Sequence, residues 1–452
     1  MKRFWLVLLS LGLVMAFSAS AFAVDVKVSG SYYAAGVYLD QKNLNENTTA
    51  YEGQSTAFYF TRLRVGTELV VSPGLSLITR FDALERVFGQ TRTSATATDP
   101  TGTASLNSAG TRAENENIAF DYAYVKYATP IGTFQVGAQP GGTFGLAFAN
   151  SEEPRYRVKY ISPDYSGFTW TATIEKNKEN SYSVVDGSNN VDADADTYYL
   201  TGDYKKQNWA VGLLYGYTID KTHTDNFYTA AADRYKATYH TFNPYATAAF
   251  GPVKLSAELK YVVGERDYET SAIADKDIES FGAMIDAVAT FGPIYVGGTI
   301  AYADGDVDTA DDTVRGIVTG GMDWSPTLIM WNEDRARWVG SISSTAAGVS
   351  DGFDNAGFAN AWLYQLRVGV KPIEKLDVCF AVSYAERDRV NDNVDKPLGW
   401  EFDLTGTYKI TNNLTYMLGA GYLVTGDYFK GTNQASEVEN NYMIINKLAL
   451  TF

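Results

Sequence analysis

The sequence predicts an all-β protein: one transmembrane antiparallel β-barrel of about eighteen strands, with sixteen the next choice. Three observations predict it. Apolar and polar residues alternate with period two from end to end. Short turns and long polar loops alternate strictly, and beyond an N-terminal leader no stretch could cross a membrane as a helix. Composition removes competing classes. Aromatic residues make up 14% of the 452 residues and Pro only 12 of them, unlike a disordered chain. Lys+Arg number 37 against 53 Asp+Glu, a formal charge of −16, which argues against nucleic acid as a partner because that affinity needs a basic surplus. Cys379 stands alone, and two isolated histidines, His223 and His240, give no basis for a metal or catalytic centre.

The chain opens with Lys2 and Arg3, an apolar run from Phe4 to Phe17, and the small-residue site Ala21-Phe22-Ala23. This is the pattern of a cleaved secretory signal peptide spanning 1–23. Its removal leaves 429 residues, 24–452, as a single barrel domain, and the loss of Lys2 and Arg3 takes the formal charge from −16 to −18. The longest uncharged stretch, Ala287–Ala303, is broken by Gly292-Pro293 and Gly297-Gly298 and reads as two strands around a turn. Only helices and closed barrels satisfy their backbone polar groups in lipid, so an exported membrane chain without a spanning helix is a barrel.

The strands follow in order. From Phe58, the residues Phe58, Phe60, Arg62, Arg64, Gly66 and Glu68 share one face, and Leu63, Val65, Leu69 and Val71 the other. Arg80 and Asp82 oppose Leu75, Leu77 and Phe81 on the next strand, and Arg155, Arg157 and Lys159 oppose Tyr156, Val158 and Tyr160 further on. Phe168–Glu175, Trp209–Thr218, Val253–Val263, Trp362–Lys371 and Leu398–Ile410 repeat the pattern, often over ten or more residues. That length suits a tilted strand crossing a bilayer, whereas strands of a soluble sandwich average five or six. Aromatics near the strand ends fit interfacial girdles.

Short turns fall at Ser72–Gly74, Thr129–Gly132, Pro163–Gly167, Lys205–Asn208, Gly251-Pro252, Gly292-Pro293, Pro372–Lys375 and Thr411–Asn413. Between them lie nine longer polar stretches, at about 39–56, 88–115, 140–154, 178–195, 221–235, 268–277, 305–359, 389–397 and 428–438. Eight turns and nine loops give eighteen strands if both ends lie on the short-turn side. The final segment, Tyr442–Phe452, places Tyr442, Ile444, Leu448 and Leu450 on one face and ends on an aromatic. It resembles the C-terminal signal by which outer-membrane barrels are recognised for insertion, although Asn446 interrupts its apolar face.

Charges on the inward face carry the functional reading. A charge facing lipid would cost roughly 2–4 kcal/mol at the midplane, so parity assigns Arg62, Arg64, Arg80, Arg155, Arg157 and Lys159 to a basic wall inside the barrel. The stretch Pro140–Pro154 mixes small and apolar residues with Glu152 and Glu153, which suits a loop folded back into the lumen. It is expected to set those carboxylates across the pore from the basic wall, where a transverse field would orient dipolar solutes.

In Thr61-Arg62-Leu63-Arg64-Val65-Gly66, in Thr133–Gln139 with the loop after it, and in Arg155-Tyr156-Arg157, the sequence resembles the general bacterial porin family. That resemblance implies a trimeric outer-membrane diffusion channel for ions and small hydrophilic solutes. It also implies a basic wall facing an inward third loop, contact with lipid and lipopolysaccharide, no cofactor and no enzymatic activity. Arg62 and Arg157 are similar to two of the family's arginines, whereas Gln139, counted here with the constriction, stands where a third basic residue is usual. Eighteen strands would depart from the family's sixteen towards substrate-selective porins.

Two alternatives stand beside this reading. One is a selective channel for sugars or organic anions, which stacked lumen aromatics such as Phe58 and Phe60, or an arginine ladder, would favour. The other is a closed barrel acting as adhesin or envelope scaffold, favoured if 305–359 fills the lumen. A loop of that length carries structure or function of its own. The acidic runs Asp192, Asp194, Asp196 and Asp304, Asp306, Asp308, Asp311, Asp312 read as a solvated rim, because the second lacks the Gly and Glu that complete a calcium loop. No nucleophile elbow, zinc motif or phosphate loop is present.

Overall fold

The computed structural model describes residues 25–44, 55–89, 118–180, 193–224, 234–308, 311–344, 346, 349, 352–353 and 357–452. The leader 1–23 and much of four loops lie outside them. The strands are β1 (Asp25–Leu39), β2 (Thr56–Ser72), β3 (Leu75–Val87), β4 (Ala119–Thr129), β5 (Gly132–Gly141), β6 (Glu153–Ile161), β7 (Phe168–Lys178), β8 (Ala195–Lys205) and β9 (Trp209–Asp220). They continue as β10 (Tyr235–Phe250), β11 (Val253–Tyr268), β12 (Lys276–Phe291), β13 (Ile294–Ala303), β14 (Thr313–Val314), β15 (Ala361–Ile373), β16 (Leu376–Arg387), β17 (Pro397–Lys409), β18 (Leu414–Thr425) and β19 (Asn441–Thr451).

Each long strand pairs antiparallel with its chain neighbours, β13 pairs with β15, and β1 closes the sheet on β19. The two-residue β14 lies outside this circuit, parallel to β12, so the barrel has eighteen strands. At the seam, Gly30 N–H donates to the Phe452 carbonyl (2.8 Å) and Phe452 N–H to the Gly30 carbonyl (3.0 Å). The terminal aromatic thus helps complete the circuit, which leaves no unpaired edge for lipid to solvate.

All eight short turns are where the Gly, Pro and Asn punctuation puts them. Gly251 and Gly292 take φ of 57° and 59° in two-residue hairpin loops, a conformation glycine adopts without a Cβ penalty. Parity holds on both faces over most of the strands. Val136, Val158, Ile174, Leu200 and Leu404 are exposed on the outside, while Thr173, Glu175, Thr197, Thr218, Glu258 and Glu401 are buried inside.

The interior is not uniformly polar. From β15 round through β19 to β2, inward residues including Leu39, Phe60, Leu363, Leu423 and Ile445 form an apolar lining. Against it packs the segment 304–360, whose Ile329, Met330, Trp331, Phe353 and Phe358 are buried. The rest of the interior, facing β6 to β11, stays polar and open.

Candidate functional site

The arginines expected on the inward wall occupy β2, β3 and β6, and nearly all meet carboxylates. Arg64 holds Asp82 through two bonds, Nε to Oδ1 and Nη2 to Oδ2, each 2.7 Å, and reaches Asp121 at 3.6 Å. Arg80 donates to Asp121 (3.0 Å) and to Glu152, and its guanidinium lies 3.8 Å from the centroid of the Tyr122 ring. Arg157 pairs with Glu175, donates to the Pro140 carbonyl (2.7 Å), and both members of the pair are nearly buried. Arg155 pairs with Glu153 at 2.5 Å.

The expectation that Glu152 and Glu153 face the basic wall across the lumen is therefore corrected. Glu152 bonds Arg80 and Tyr122 directly, and Glu153 opens β6 two residues from its partner Arg155. Charge-assisted hydrogen bonds between guanidinium and carboxylate favour such direct contact over standing apart. Burial pushes the Glu152 carboxyl up, but the Arg80 and Tyr122 hydrogen bonds and the charges of Arg80 and Arg64 outweigh it and hold it below the usual carboxylate range. Gln139 belongs to β5 rather than to the loop. It is buried, with Nε2 donating to the Arg157 carbonyl (3.0 Å).

Arg62 is the weakly paired member of the wall, 3.8 Å from Glu85 and 5.1 Å from the Tyr33 ring centroid. Glu85 itself reaches the lumen through a bulge. The β2–β3 register shifts between Thr61 and Leu63, Leu84 takes φ of 53°, and the parity of β3 inverts there. Strict alternation starting at Arg80 hides such a residue.

Two loops enter the barrel. In 142–152, a 3-10 turn at Ala147–Ala149 buries Phe148. The buried Glu258 of β11 accepts the N–H groups of Leu146 (3.0 Å) and Ala149 (3.2 Å). The long segment binds the other wall. Leu328, Ile329 and Met330 donate N–H groups to Glu401 at 2.9, 2.5 and 2.9 Å, and Lys447 bonds Asp334 at 2.6 Å. The loops also join each other. Gly321 N–H meets the Phe148 carbonyl (2.6 Å), Met322 N–H meets Ser151 Oγ (2.9 Å), and Glu152 N–H meets Asp323 Oδ2 (3.0 Å). Burial raises the Asp323 carboxyl, moderated by that bond.

Two cavities of similar volume lie beside the inward loops. One, of about 570 Å³, lies among Arg62, Arg64, Glu152, Asp323, Glu333 and Arg337. The other, of about 560 Å³, runs along β6 to β11 and is rich in threonine hydroxyls, with Tyr199, Tyr239 and Asn243. Its cations include Lys159 and Lys260, neither of which has an ion-pair partner among the described residues. Lys260 was legible as an inward residue of its strand, but its lack of an ion pair was not.

Among the described residues the acidic rim is internally satisfied. Asp304 accepts from Ser280 Oγ (2.8 Å) and Phe281 N–H (2.9 Å), Asp306 from Arg315 N–H (2.8 Å), and Asp311 pairs with Arg315 at 2.6 Å. Asp192 lies outside the described residues. His240 sits in β10 with Nδ1 2.9 Å from the Tyr215 hydroxyl, and His223 stacks on Tyr235.

No protein-family model and no curated protein matches the sequence. Solved structures do match in fold. The Pseudomonas aeruginosa OccK2 (OpdF) structure in complex with glucuronate covers 95% of this chain and 97% of its own, at 11% identity and a TM-score of 0.51. Pseudomonas aeruginosa OpdK with vanillate covers 94% and 99%, at 13% identity and 0.51. Acinetobacter baumannii OccAB1 covers 94% and 97%, at 13% identity and 0.52. At these identities the likeness is one of fold: a closed antiparallel β-barrel over nearly the same extent of chain.

Proposed function

We propose that the protein is an outer-membrane porin, a water-filled channel through which ions and small hydrophilic solutes diffuse passively. The observation that carries the reading is the closed barrel with charged cavities of about 560 and 570 Å³ beside its inward loops, which speaks against a fully plugged scaffold. In this reading Arg62, Arg64, Arg80, Arg155, Arg157 and Lys159 line the passage, and Glu152, Glu153 and Gln139 bound its narrow part. Export by the 1–23 signal peptide, contact with lipopolysaccharide and assembly as a homotrimer belong to the same proposal, as does the absence of enzymatic activity. Liposome swelling with sugars of increasing size, run beside cross-linking of the detergent-extracted protein, tests passage and assembly together. Swelling by small sugars supports a channel, and a folded protein that passes none overturns it.

A second reading, a channel selective for organic anions, is favoured by one specific arrangement. Arg64, Arg80 and Arg157 are neutralised, whereas Lys159 and Lys260 have no ion-pair partner among the described residues, in a cavity lined by threonine hydroxyls and phenols as well as by Glu175, Asp203 and Asp220. That cavity offers a carboxylated, hydroxyl-bearing solute both charge and hydrogen bonds, and two neighbours of the same fold were solved with glucuronate and with vanillate. Phe60 is fully buried under Trp338 and so offers a sugar no stacking face, while Phe58 is partly buried against the same cluster.

A further inference from the structure

We infer that Glu401, flanked by Asp403, is a positioning residue of the pore: its carboxylate fixes the tip of the 304–360 segment against the β17–β18 wall and so sets the width of the lumen. This rests on the channel reading and deepens it.

Three successive backbone N–H groups, from Leu328, Ile329 and Met330, converge on one carboxylate, and Leu328 N–H is shared with Asp403 Oδ2 at 3.3 Å. Consecutive amides turned to one point form an anion-binding nest. Here the acceptor is supplied by the wall itself, 71 to 73 residues away in sequence. Glu401 is fully buried and Asp403 nearly so, among Leu328, Ile329 and Met330. Each side therefore needs the other. Without the carboxylate three buried donors lose their acceptor, and without the tip the carboxylate returns to water.

The seat beneath the tip is shaped for it. Gly419 and Gly421 of β18 face inward; a Cβ on Gly421 would lie 2.9 Å from Asp403 Oδ1 and 3.2 Å from both Leu328 and Ile329, and one on Gly419 3.0 Å from Leu328. Neighbouring anchors hold the rest of the turn. Gln365 Nε2 donates to the Pro326 carbonyl (2.6 Å), and Thr327 Oγ1 accepts the Trp331 N–H (2.8 Å). A hydrogen-bond acceptor on β17 and an absence of side chains on β18 thus act on the same few residues.

The test uses the full-length refolded protein with Glu401→Ala, which removes the acceptor, Glu401→Gln, which keeps one acceptor oxygen, and Gly421→Val, which fills the seat. Folding is scored by heat-modifiable migration. Conductance and the size limit for neutral sugars should rise several-fold in Glu401→Ala and in Gly421→Val and less in Glu401→Gln, with little change in ion preference. A second readout does not depend on conduction. In a Cys379→Ala background, maleimide labelling of Ile329→Cys should be slow beside Glu401 and several-fold faster with Glu401→Ala. Faster labelling without any conductance would sustain the anchor and sink the channel. Folded Ala and Val variants with wild-type size limit and labelling overturn the inference, as does loss of folding in both, which would make Glu401 a stability residue only.

Discussion

Trp338 stacks on Phe60, with ring centroids 4.7 Å apart and planes inclined by 24°, and its Nε1 donates to the Tyr33 hydroxyl at 3.3 Å. A residue of the long inward segment thus covers an aromatic of the wall that would otherwise meet solute. Phe60→Ala removes a fully buried ring and should cost about 3–5 kcal/mol. The check is the temperature at which the heat-modifiable folded band converts, which should fall well below that of the wild type.

Glu152 ties loop 142–152 to the arginine wall through Arg80, and its carboxyl is held low. A depressed folded value means that the tie is fully present above the ordinary glutamate value of about 4.3 and is lost as pH falls through the lowered one. Ion preference should accordingly hold steady between neutral pH and about 5, then move towards anions in strongly acidic buffer as the arginines lose their counter-charge. Glu152→Gln should show the acid-type preference already at pH 7. A reversal potential in that variant identical to wild type would remove Glu152 from the selectivity account.

Lys159 and Lys260 line the β6–β11 cavity without an ion-pair partner among the described residues. A unit charge about 4 Å from a passing ion is worth about 1 kcal/mol in water, several-fold in local anion concentration. Replacing both by Gln should reduce carboxylate flux by several-fold or more and leave neutral sugars unaffected. Equal losses for anions and sugars would point to a blocked passage instead.

Arg157 and Glu175 form a nearly buried pair, with side chains 9% and 4% exposed. Arg157→Ala strands the carboxylate and should destabilise the barrel by about 3–5 kcal/mol, whereas the Arg157→Ala, Glu175→Gln double variant should recover a large part. Chemical denaturation of the four proteins of this cycle gives the coupling directly.

Most of the barrel was legible because lipid and water impose a period of two and the turns carry their own chemistry. Gly251-Pro252 and Gly292-Pro293 fall at hairpin loops, and the alternation from Trp400 to Ile410 survives as exposed Trp400, Phe402 and Leu404 against buried Glu401 and Asp403, whereas Leu398, expected on the outer face, is buried before the positive-φ Gly399. Parity failed where the backbone departs from it. The bulge at Leu84 turns Glu85 inward, although the alternation from Arg80 would send it out. The partners of the inward charges were hidden for another reason. Glu401 meets residues more than seventy positions away, and Glu258 meets a loop more than a hundred away, so no local pattern records either clamp. For the same reason the sequence marks Glu152 as a loop carboxylate without revealing that it closes onto Arg80.

The most direct test of the account is the conductance of the refolded 24–452 chain in planar bilayers under a salt gradient. Stable ohmic steps, with a reversal potential that moves towards cations when Lys159 and Lys260 are both replaced, are the predicted result. Silence from protein that is heat-modifiable and inserted would contradict the channel itself and leave a barrel closed by its own segment 304–360.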